Sequence, residues 1–86
     1  MTYYVYILLA KDKKFYIGYT RNLEKRLSLH FKRKVRSTKF RRDLKLIHYE
    51  YFINKKDAKA REVFLKSGAG HQQIEKFLKN SLKLLR

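Results

Sequence analysis

A pair of short, tyrosine-rich segments near the N-terminus constrains the fold of this 86-residue chain most strongly. Residues 3–9 form a nearly continuous run of β-branched and aromatic side chains, which is typical of a buried strand. A polar turn at residues 11–14 separates this run from a second one, Phe15 to Tyr19. Because so few residues join the two runs, we predict that they form an antiparallel hairpin.

The expected register of this hairpin places Tyr6 opposite Gly18 and Leu8 opposite Tyr16. Since residues two apart in a strand share a face, the hydroxyls of Tyr6 and Tyr16 should emerge on the same side of the sheet. Gly18 should leave open space beside them, where the backbone of a ligand could approach. A tyrosine in a strand is also a common core residue with a hydrogen-bonded hydroxyl, so both interpretations stay open for each tyrosine.

The remainder of the chain carries alternating helix and strand signals. Asn22 is a good helix N-cap, and apolar residues then recur at helical spacing to about residue 33. Residues 34–43 form a basic, irregular connection. Leu44 to Ile53 is rich in Ile, Tyr and Phe and is predicted to be a third strand.

Two further helices are predicted at the C-terminal end. The segment Asn54 to Asp57 resembles a capping box that opens a helix running to about Ser67. Gly68 is expected to end that helix in the left-handed position after its last turn. His71 to Leu85 then forms a final amphipathic helix. The order β-β-α-β-α-α predicts an α+β fold, a small and largely antiparallel sheet with helices packed against it, in a single domain covering residues 1–86.

Charge is the dominant bulk property of the chain. It contains 23 Lys and Arg residues against 7 Asp and Glu, a net charge of +16, and residues 21–45 hold 11 of the basic ones. Such a cluster is typical of a protein that binds nucleic-acid phosphates, with a solvated basic face as the alternative. The segment Ser37 to Lys39 could be a phosphate clamp or part of a flexible loop. The candidate nucleic-acid contacts are Lys32, Arg33, Lys34, Arg36, Ser37, Lys39, Arg41 and Arg42.

The composition excludes several classes of site. The chain has no cysteine, which excludes disulfides and thiolate metal sites. Seven scattered acidic residues give no carboxylate cluster for a two-metal nuclease, and no paired-histidine or glycine-rich phosphate motif is present. The apolar N-terminal run is too short to span a bilayer and lacks the features of a signal peptide. We therefore expect a soluble, cytoplasmic protein that has no membrane partner.

Three side chains on the predicted helices could complete a site beside the tyrosines. Arg26 and His30 are four residues apart at the edge of an apolar stripe, so they should project over the sheet edge toward Tyr16. Arg26 also carries a fork suited to phosphate. Glu62 lies at the boundary of a small, apolar helix face, where its carboxylate needs a cation partner such as Arg61, Arg26 or a metal ion. An ordinary boundary position or an ion pair is the alternative for each of the three.

These residues recur in a spacing that covers almost the whole chain. The pattern consists of Tyr4-Val5-Tyr6, Tyr16-Ile17-Gly18, Arg26, His30 and Glu62. In this pattern the chain resembles the GIY-YIG nuclease superfamily. It is most similar to the small standalone bacterial branch, which resembles the N-terminal nuclease domain of the excinuclease C subunit. Tyr4 replaces the glycine of the first signature, and Tyr19 stands where the repair nucleases often carry lysine.

The resemblance implies a fold, a cofactor and a set of roles. The fold would be a three-stranded antiparallel sheet flanked by about three helices, and the cofactor would be one divalent cation, Mg²⁺ or Mn²⁺. Tyr6 and Tyr16 match the two motif tyrosines, with Tyr16 as the general base or base relay. Arg26 matches the arginine that stabilises phosphate charge. His30 matches a nearby helper position, and Glu62 matches the metal ligand.

The resemblance and the charge lead to three functional hypotheses. The first is a metal-dependent endonuclease that hydrolyses DNA phosphodiester bonds with low sequence selectivity, in DNA repair or processing. The second is a nucleic-acid-binding module on the same fold that cuts slowly or not at all. The third is a structural protein recruited through its C-terminal helix, which is also the candidate surface for a protein partner or for dimerisation.

Overall fold

The structure, a computed structural model that describes residues 1–86, contains one three-stranded antiparallel sheet. Strand β1 (Tyr3–Leu9) lies between β2 (Phe15–Thr20) and β3 (Lys45–Phe52). The spatial order β2-β1-β3 therefore leaves one free edge on β2 and one on β3. The predicted α+β fold with a small antiparallel sheet is confirmed.

The register of the hairpin agrees with the prediction. Tyr6 pairs with Gly18, and Leu8 pairs with Tyr16. Strand β1 is buried along almost its whole length because it is the central strand and is covered on both faces. This position explains why its sequence is a nearly continuous apolar run rather than a strict alternation. The edge strand β2 is only half-buried.

Four helices flank the sheet, and two of them begin at the predicted asparagine caps. The Asn22 side chain accepts a hydrogen bond from the Lys25 N–H, and the Asn54 side chain accepts one from the Lys56 N–H. Each cap satisfies a backbone donor that the helix itself cannot reach. The helices are α1 (Leu23–Phe31), α2 (Lys55–Lys66), α3 (Gly68–Phe77) and α4 (Lys79–Leu85).

The predicted role of Gly68 as a left-handed helix terminator is wrong. No glycine in the chain has a positive φ, and Gly68 is the first residue of α3. Ser67 makes the break instead, because its hydroxyl accepts the Gly70 N–H at 3.0 Å and caps α3 as α2 ends. Gly70 is required for close packing, since a Cβ there would overlap the backbone of Phe64 and Leu65.

The predicted single helix from His71 to Leu85 is likewise two helices. Leu78 ends α3 and precedes α4, with backbone angles outside the helical range (φ −107°, ψ 19°) and no side-chain cap for α4. The apolar stripe continues through the break, which is why the sequence pattern alone does not reveal it. The surface considered for a protein partner therefore belongs to two short helices.

The two faces of the sheet are covered by different elements. On one face, Val5 and Ile7 of β1 pack against α2 and α3 through Ala58, Leu65 and Ile74, all of which are buried. The opposite face carries the alternate residues of β1 and is covered by α1 and the basic connection, as the next subsection describes. No helix of the structure is long and apolar enough to cross a membrane.

Candidate functional site

A cavity of about 370 Å³, here called the β2-edge cavity, lies along the free edge of strand β2. Because β2 is an edge strand, helix α1 from one face of the sheet and α2 from the other can both reach around it. The five residues predicted to be catalytic line this one cavity. They are Tyr6, Tyr16, Arg26, His30 and Glu62.

Tyr6 is the centre of a hydrogen-bonded chain inside the cavity. Arg26 donates its Nε–H to the Tyr6 hydroxyl oxygen at 3.4 Å, and the hydroxyl lies 2.7 Å from His30 Nε2. The other ring nitrogen, His30 Nδ1, lies 2.7 Å from the Thr38 hydroxyl. With a neutral ring, the network assigns the proton to Nδ1, so Nε2 accepts from Tyr6 and Nδ1–H donates to Thr38. The chain of donors therefore runs from Arg26 to Thr38.

Gly18 has a different role from the predicted one. A Cβ at this position would overlap the phenol ring of Tyr6, so the missing side chain makes room for Tyr6 and not for a ligand. The ring then lies across β2, where its hydroxyl reaches both Arg26 and His30. The expectation of open space beside Gly18 is wrong because the side chain from the paired strand already fills that space.

The electrostatic environment keeps both central groups neutral at pH 7. Burial raises the pKa of the Tyr6 phenol, an effect that Arg26 partly offsets and that the negative charge of Glu62 reinforces. Burial, with help from the charge of Arg26, lowers the pKa of His30 from 6.5 to about 4. A neutral histidine beside a protonated phenol is a pair through which a proton can move.

Tyr16 lines the same cavity but stands outside this hydrogen-bonded chain. Arg26 and His30 project into the cavity that Tyr16 also lines, as predicted, but their hydrogen bonds are to Tyr6. The half-buried Tyr16 ring instead lies under the guanidinium of Arg41, whose Cζ is 5.6 Å from the ring centroid. Arg41 comes from the basic connection, so this contact ties that segment to the wall of the cavity.

Glu62 pairs with neither of the two arginines named as candidate partners. Its carboxylate is 13% exposed and pairs with Lys59 at 3.4 Å and with Lys66 at 3.1 Å, one turn away on either side. Arg61 lies on another side of α2, where it donates two hydrogen bonds to Glu50. Two flexible lysines hold Glu62 less rigidly than one arginine fork would.

Three polar residues that line the cavity were missed by sequence reasoning. Lys66 follows Glu62 by one helical turn and could have been found from that spacing. His71 reaches the cavity from α3 and packs on Phe15, with ring centroids 5.7 Å apart, and no local pattern indicates this. Tyr19 lines the cavity too, and its buried hydroxyl has no hydrogen-bond partner in the chain.

The basic connection is only partly the phosphate surface that its sequence predicts. Thr38 is fully buried and bonds His30, so it cannot belong to an exposed clamp, and the segment around it is anchored to the site. Ser37 lines the cavity. The eight residues predicted to contact nucleic acid are all exposed and so remain available for phosphate: Lys32, Arg33, Lys34, Arg36, Ser37, Lys39, Arg41 and Arg42.

The cavity offers few protein ligands for a divalent cation. No group of three or more His, Cys, Asp or Glu side chains is arranged to hold a metal ion, and Glu62 is the one carboxylate that lines the cavity. Mg²⁺ is commonly held by one or two carboxylates with several waters and substrate phosphates. The residues present therefore fit a hydrated ion but not a cage made of protein ligands.

Comparisons with known proteins agree with this geometry. The model of the GIY-YIG catalytic domain matches residues 2–83. A UPF0213 protein of Clostridium perfringens is 38% identical over 81 residues, which cover 93% of this chain and 87% of that protein. A UPF0213 protein of Lactococcus lactis subsp. cremoris is 40% identical over 82 residues, covering 94% and 84%. The solution NMR structure of a UPF0213 protein from Bacillus halodurans matches with a TM-score of 0.59 and 31% identity, over 90% of this chain and 85% of that one.

The family model spans nearly the whole chain, and the relatives align over most of their own lengths. Three kinds of observation thus agree: the spacing of the tyrosines and the arginine, the β2-edge cavity in which they meet, and the independent match to a domain model. The chain belongs to the GIY-YIG family of catalytic domains, which is a nuclease family.

Proposed function

We propose that this protein is a metal-dependent endonuclease that hydrolyses phosphodiester bonds of DNA with low sequence selectivity. The observation that carries the proposal is the meeting of two tyrosines, an arginine, a histidine and a carboxylate in one cavity of a chain with net charge +16. We place its activity in DNA repair or processing in the cytoplasm, as in the repair branch of the family that its sequence resembles.

The charges around the β2-edge cavity suit a phosphodiester. Arg26 and Lys66 line the cavity and carry positive charge, while Glu62 supplies the one carboxylate. Fixed cationic donors stabilise the charge that develops on phosphate oxygens when a nucleophile adds. Arg26 is the best placed of these donors, because it already contacts the hydroxyl of Tyr6.

Tyr6 and His30 provide a path for the proton of the attacking water. In the proposed step, water gives a proton to the Tyr6 oxygen while the Tyr6 proton moves to His30 Nε2. The hydroxide so formed bonds to phosphorus, and the bond to the leaving oxygen breaks. The pKa of His30 is lowered partly by the charge of Arg26. A bound phosphodiester opposes that charge and so makes His30 a better base.

Glu62 would hold one Mg²⁺ or Mn²⁺ ion, with waters completing its coordination. When bound, such an ion supplies positive charge that polarises the phosphate. Glu62 itself must then release Lys59 and Lys66, which are exposed enough to turn toward the DNA backbone. Tyr16 lies on the same cavity, where its hydroxyl can bond the water or a phosphate oxygen.

The proposal is tested by plasmid nicking in Mg²⁺ or Mn²⁺. We expect Arg26→Ala and Glu62→Gln each to lower the nicking rate at least about 100-fold, because the first removes a cationic donor to the reacting phosphate and the second removes the carboxylate that would hold the ion. Glu75→Gln is the matched control, since Glu75 pairs with Arg86 and does not line the cavity. Equal rates for Glu62→Gln and Glu75→Gln would refute the assignment of an active site here.

One observation favours the second candidate function, a nucleic-acid-binding module that does not cut. With no ligand bound, Glu62 is occupied by two lysines and His30 has a pKa of about 4, which makes it a weak base. Under this alternative the wild type binds DNA with a steep salt dependence but gives no nicking above the level of the Glu62→Gln variant.

A further inference from the structure

A second surface of the molecule carries tyrosines that the proposed reaction does not use. In the register of β1 with β3, Tyr4 pairs with Tyr51 and Tyr6 pairs with Tyr49. Residues that face each other in an antiparallel pair project to the same side of the sheet. Tyr4, Tyr49 and Tyr51 therefore lie on the face of the sheet that also carries Tyr6.

The three side chains form one aromatic cluster, here called the tyrosine platform (Tyr4, Tyr49 and Tyr51). The Tyr4 ring centroid is 6.1 Å from that of Tyr49 and 5.7 Å from that of Tyr51, with both pairs tilted by 59°. Tyr4 is half-buried, whereas Tyr49 and Tyr51 are each 52% exposed. Tyr4 thus supports two rings that offer part of their surface to solvent.

A groove of about 410 Å³ separates the platform from the first turns of α1. Tyr4 and Tyr49 form its sheet side, and the half-buried Leu23 and Leu27 form its helix side. The mixture of aromatic and aliphatic groups with a few polar ones suits a flat, partly apolar ligand. The full lining consists of Thr2, Tyr4, Arg21, Asn22, Leu23, Glu24, Leu27 and Tyr49.

We infer that Tyr49 and Tyr51 stack unpaired nucleobases, so that the protein holds a single-stranded segment of nucleic acid on this face of the sheet. Exposed aromatic rings bind bases by stacking with little regard to sequence. A duplex hides the faces of its bases, whereas a single strand presents them. The net charge of +16 supplies the complementary attraction for its phosphates.

The tyrosine platform lies next to the central strand that also carries Tyr6. Tyr49 stands directly opposite Tyr6 in the sheet, and paired residues lie about 5 Å apart. The groove and the β2-edge cavity share no lining residue, and each borders helix α1, the groove at Leu23 and Leu27 and the cavity at Arg26 and His30. A strand whose bases rest on the platform would therefore pass α1 to reach the cavity. The claim that this single strand is the substrate for cleavage rests on the proposed nuclease function, whereas the claim of base stacking does not.

A second copy of the chain is the competing occupant of this face, since β3 has a free edge. Two copies would bring like charges together, because each chain carries +16. Strand β3 also begins with the exposed Lys45, a residue type that discourages edge-to-edge pairing. Charge therefore favours nucleic acid over self-association.

The test measures binding without cleavage. A labelled oligothymidylate of about 12 nucleotides and a duplex of equal length are titrated in EDTA by fluorescence anisotropy. For the double variant Tyr49→Leu with Tyr51→Leu, we expect about tenfold or greater loss of affinity for the single strand and less than about twofold for the duplex. The matched variant Tyr49→Phe with Tyr51→Phe keeps the rings and should restore binding to within about twofold.

A second arm uses the wild type alone and so does not depend on the folding of any variant. An oligonucleotide of the same length whose central residues are abasic keeps its phosphates but has no bases to stack, and we expect it to bind about tenfold more weakly. Equal binding of the abasic and the complete strand would overturn the inference, as would equal losses for single strand and duplex in the leucine variant. So would a shift from dimer to monomer in that variant while its affinity for the single strand is unchanged.

The outcomes separate the two proposals. If nicking depends on Glu62 but the leucine variant binds single strands normally, the stacking inference fails and the nuclease proposal stands. If no nicking is found but the leucine variant loses single-strand affinity, stacking stands and the nuclease proposal fails.

Discussion

Two polar clusters of similar composition lie in different parts of this small protein, and they differ in how their charged groups are paired. The first is the β2-edge cavity, where Arg26, His30 and Glu62 meet Tyr6. The second, here called the β3 cluster, joins Glu50 and His48 of β3 to Arg61 of α2. Each contains an arginine, a histidine and a carboxylate.

In the β3 cluster, every side chain is hydrogen-bonded to another member of the cluster. Arg61 donates Nε–H and an NH₂ hydrogen to the two oxygens of Glu50 at 2.9 and 3.0 Å, and His48 Nε2 lies 2.9 Å from the same carboxylate. Burial alone would raise the pKa of Glu50, but these hydrogen bonds outweigh it and the pKa is lowered. With these three hydrogen bonds in place, the Glu50 carboxylate is committed to structural partners.

Two polar groups of the β2-edge cavity are less fully hydrogen-bonded than the Glu50 carboxylate of the β3 cluster. Glu62 has only two lysines as partners, and the buried Tyr19 hydroxyl has none. The acid and the arginine there do not bond each other, so both can act on a third group. Composition alone does not distinguish a structural cluster from a functional one, whereas the pairing of each group and its access to a cavity do.

The largest expected difference between the two clusters appears when the carboxylate of each is replaced by an amide. We expect Glu62→Gln to lower nicking by about 1000-fold with little effect on stability, because its ion pairs with Lys59 and Lys66 are weak. Glu50→Gln should lower the free energy of unfolding by about 1–2 kcal/mol, since Arg61 is left half-paired, while nicking falls less than about threefold. Urea unfolding and plasmid nicking measure the two effects, and a reversed pattern would mean that the clusters have been assigned the wrong way round.

The second expectation concerns which tyrosine moves the proton. Tyr6→Phe should lower nicking at least about 100-fold, because the hydroxyl between Arg26 and His30 is lost. Tyr16→Phe should cost only about tenfold, the value of one hydrogen bond to a charged group. Nicking rates of both variants at several pH values distinguish the two residues. A larger loss of rate for Tyr16→Phe would identify Tyr16 as the general base.

A third expectation tests the packing that positions Tyr6. Gly18→Ala places a methyl group where the Tyr6 ring lies, so the ring must move. We expect a loss of about 1–3 kcal/mol in the free energy of unfolding, together with at least tenfold slower nicking. Gly68→Ala is the matched control, because nothing lies within 4 Å of a Cβ there. Thermal unfolding followed by circular dichroism compares the two, and equal behaviour would contradict the described fit of Tyr6.

The smallest expected effect is a difference in pH dependence between the clusters. Folding lowers the pKa of His30 from 6.5 to about 4, so its contribution to stability is complete above about pH 6.5 and decreases as pH falls toward 4. Folding lowers the pKa of Glu50 as well, so its contribution is present above its ordinary pKa of 4.5 and is lost only at lower pH.

The variants His30→Gln and Glu50→Gln should separate these ranges. Stability of His30→Gln should depend less on pH than that of the wild type between pH 6.5 and 4, by on the order of 1–2 kcal/mol. For Glu50→Gln, the reduced dependence should appear only below about pH 4.5. Urea unfolding at intervals of half a pH unit measures both, and coincident ranges would contradict the described environments.

Much of the fold could be predicted because its signals are local. The hairpin register followed from alternation along two strands and the short turn between them, and Asn22 and Asn54 capped their helices as expected. The end of α2 near Ser67 was predicted correctly, but its cause was not, because a serine cap and a glycine terminator produce similar sequence signals. At Ser67 and Gly70 a contact with the preceding helix decided between them.

The sequence by itself determined the fold class, the family and the set of residues that could form a site, because hydropathy period and caps are properties of neighbouring residues and motif spacing can be read directly along the chain. Only the tertiary structure decided how those residues are paired. It showed that Arg26 and His30 bond Tyr6 rather than Tyr16, and that Arg61 bonds Glu50. Partners distant along the chain are chosen by which faces of the sheet and helices meet, and no local pattern encodes that choice.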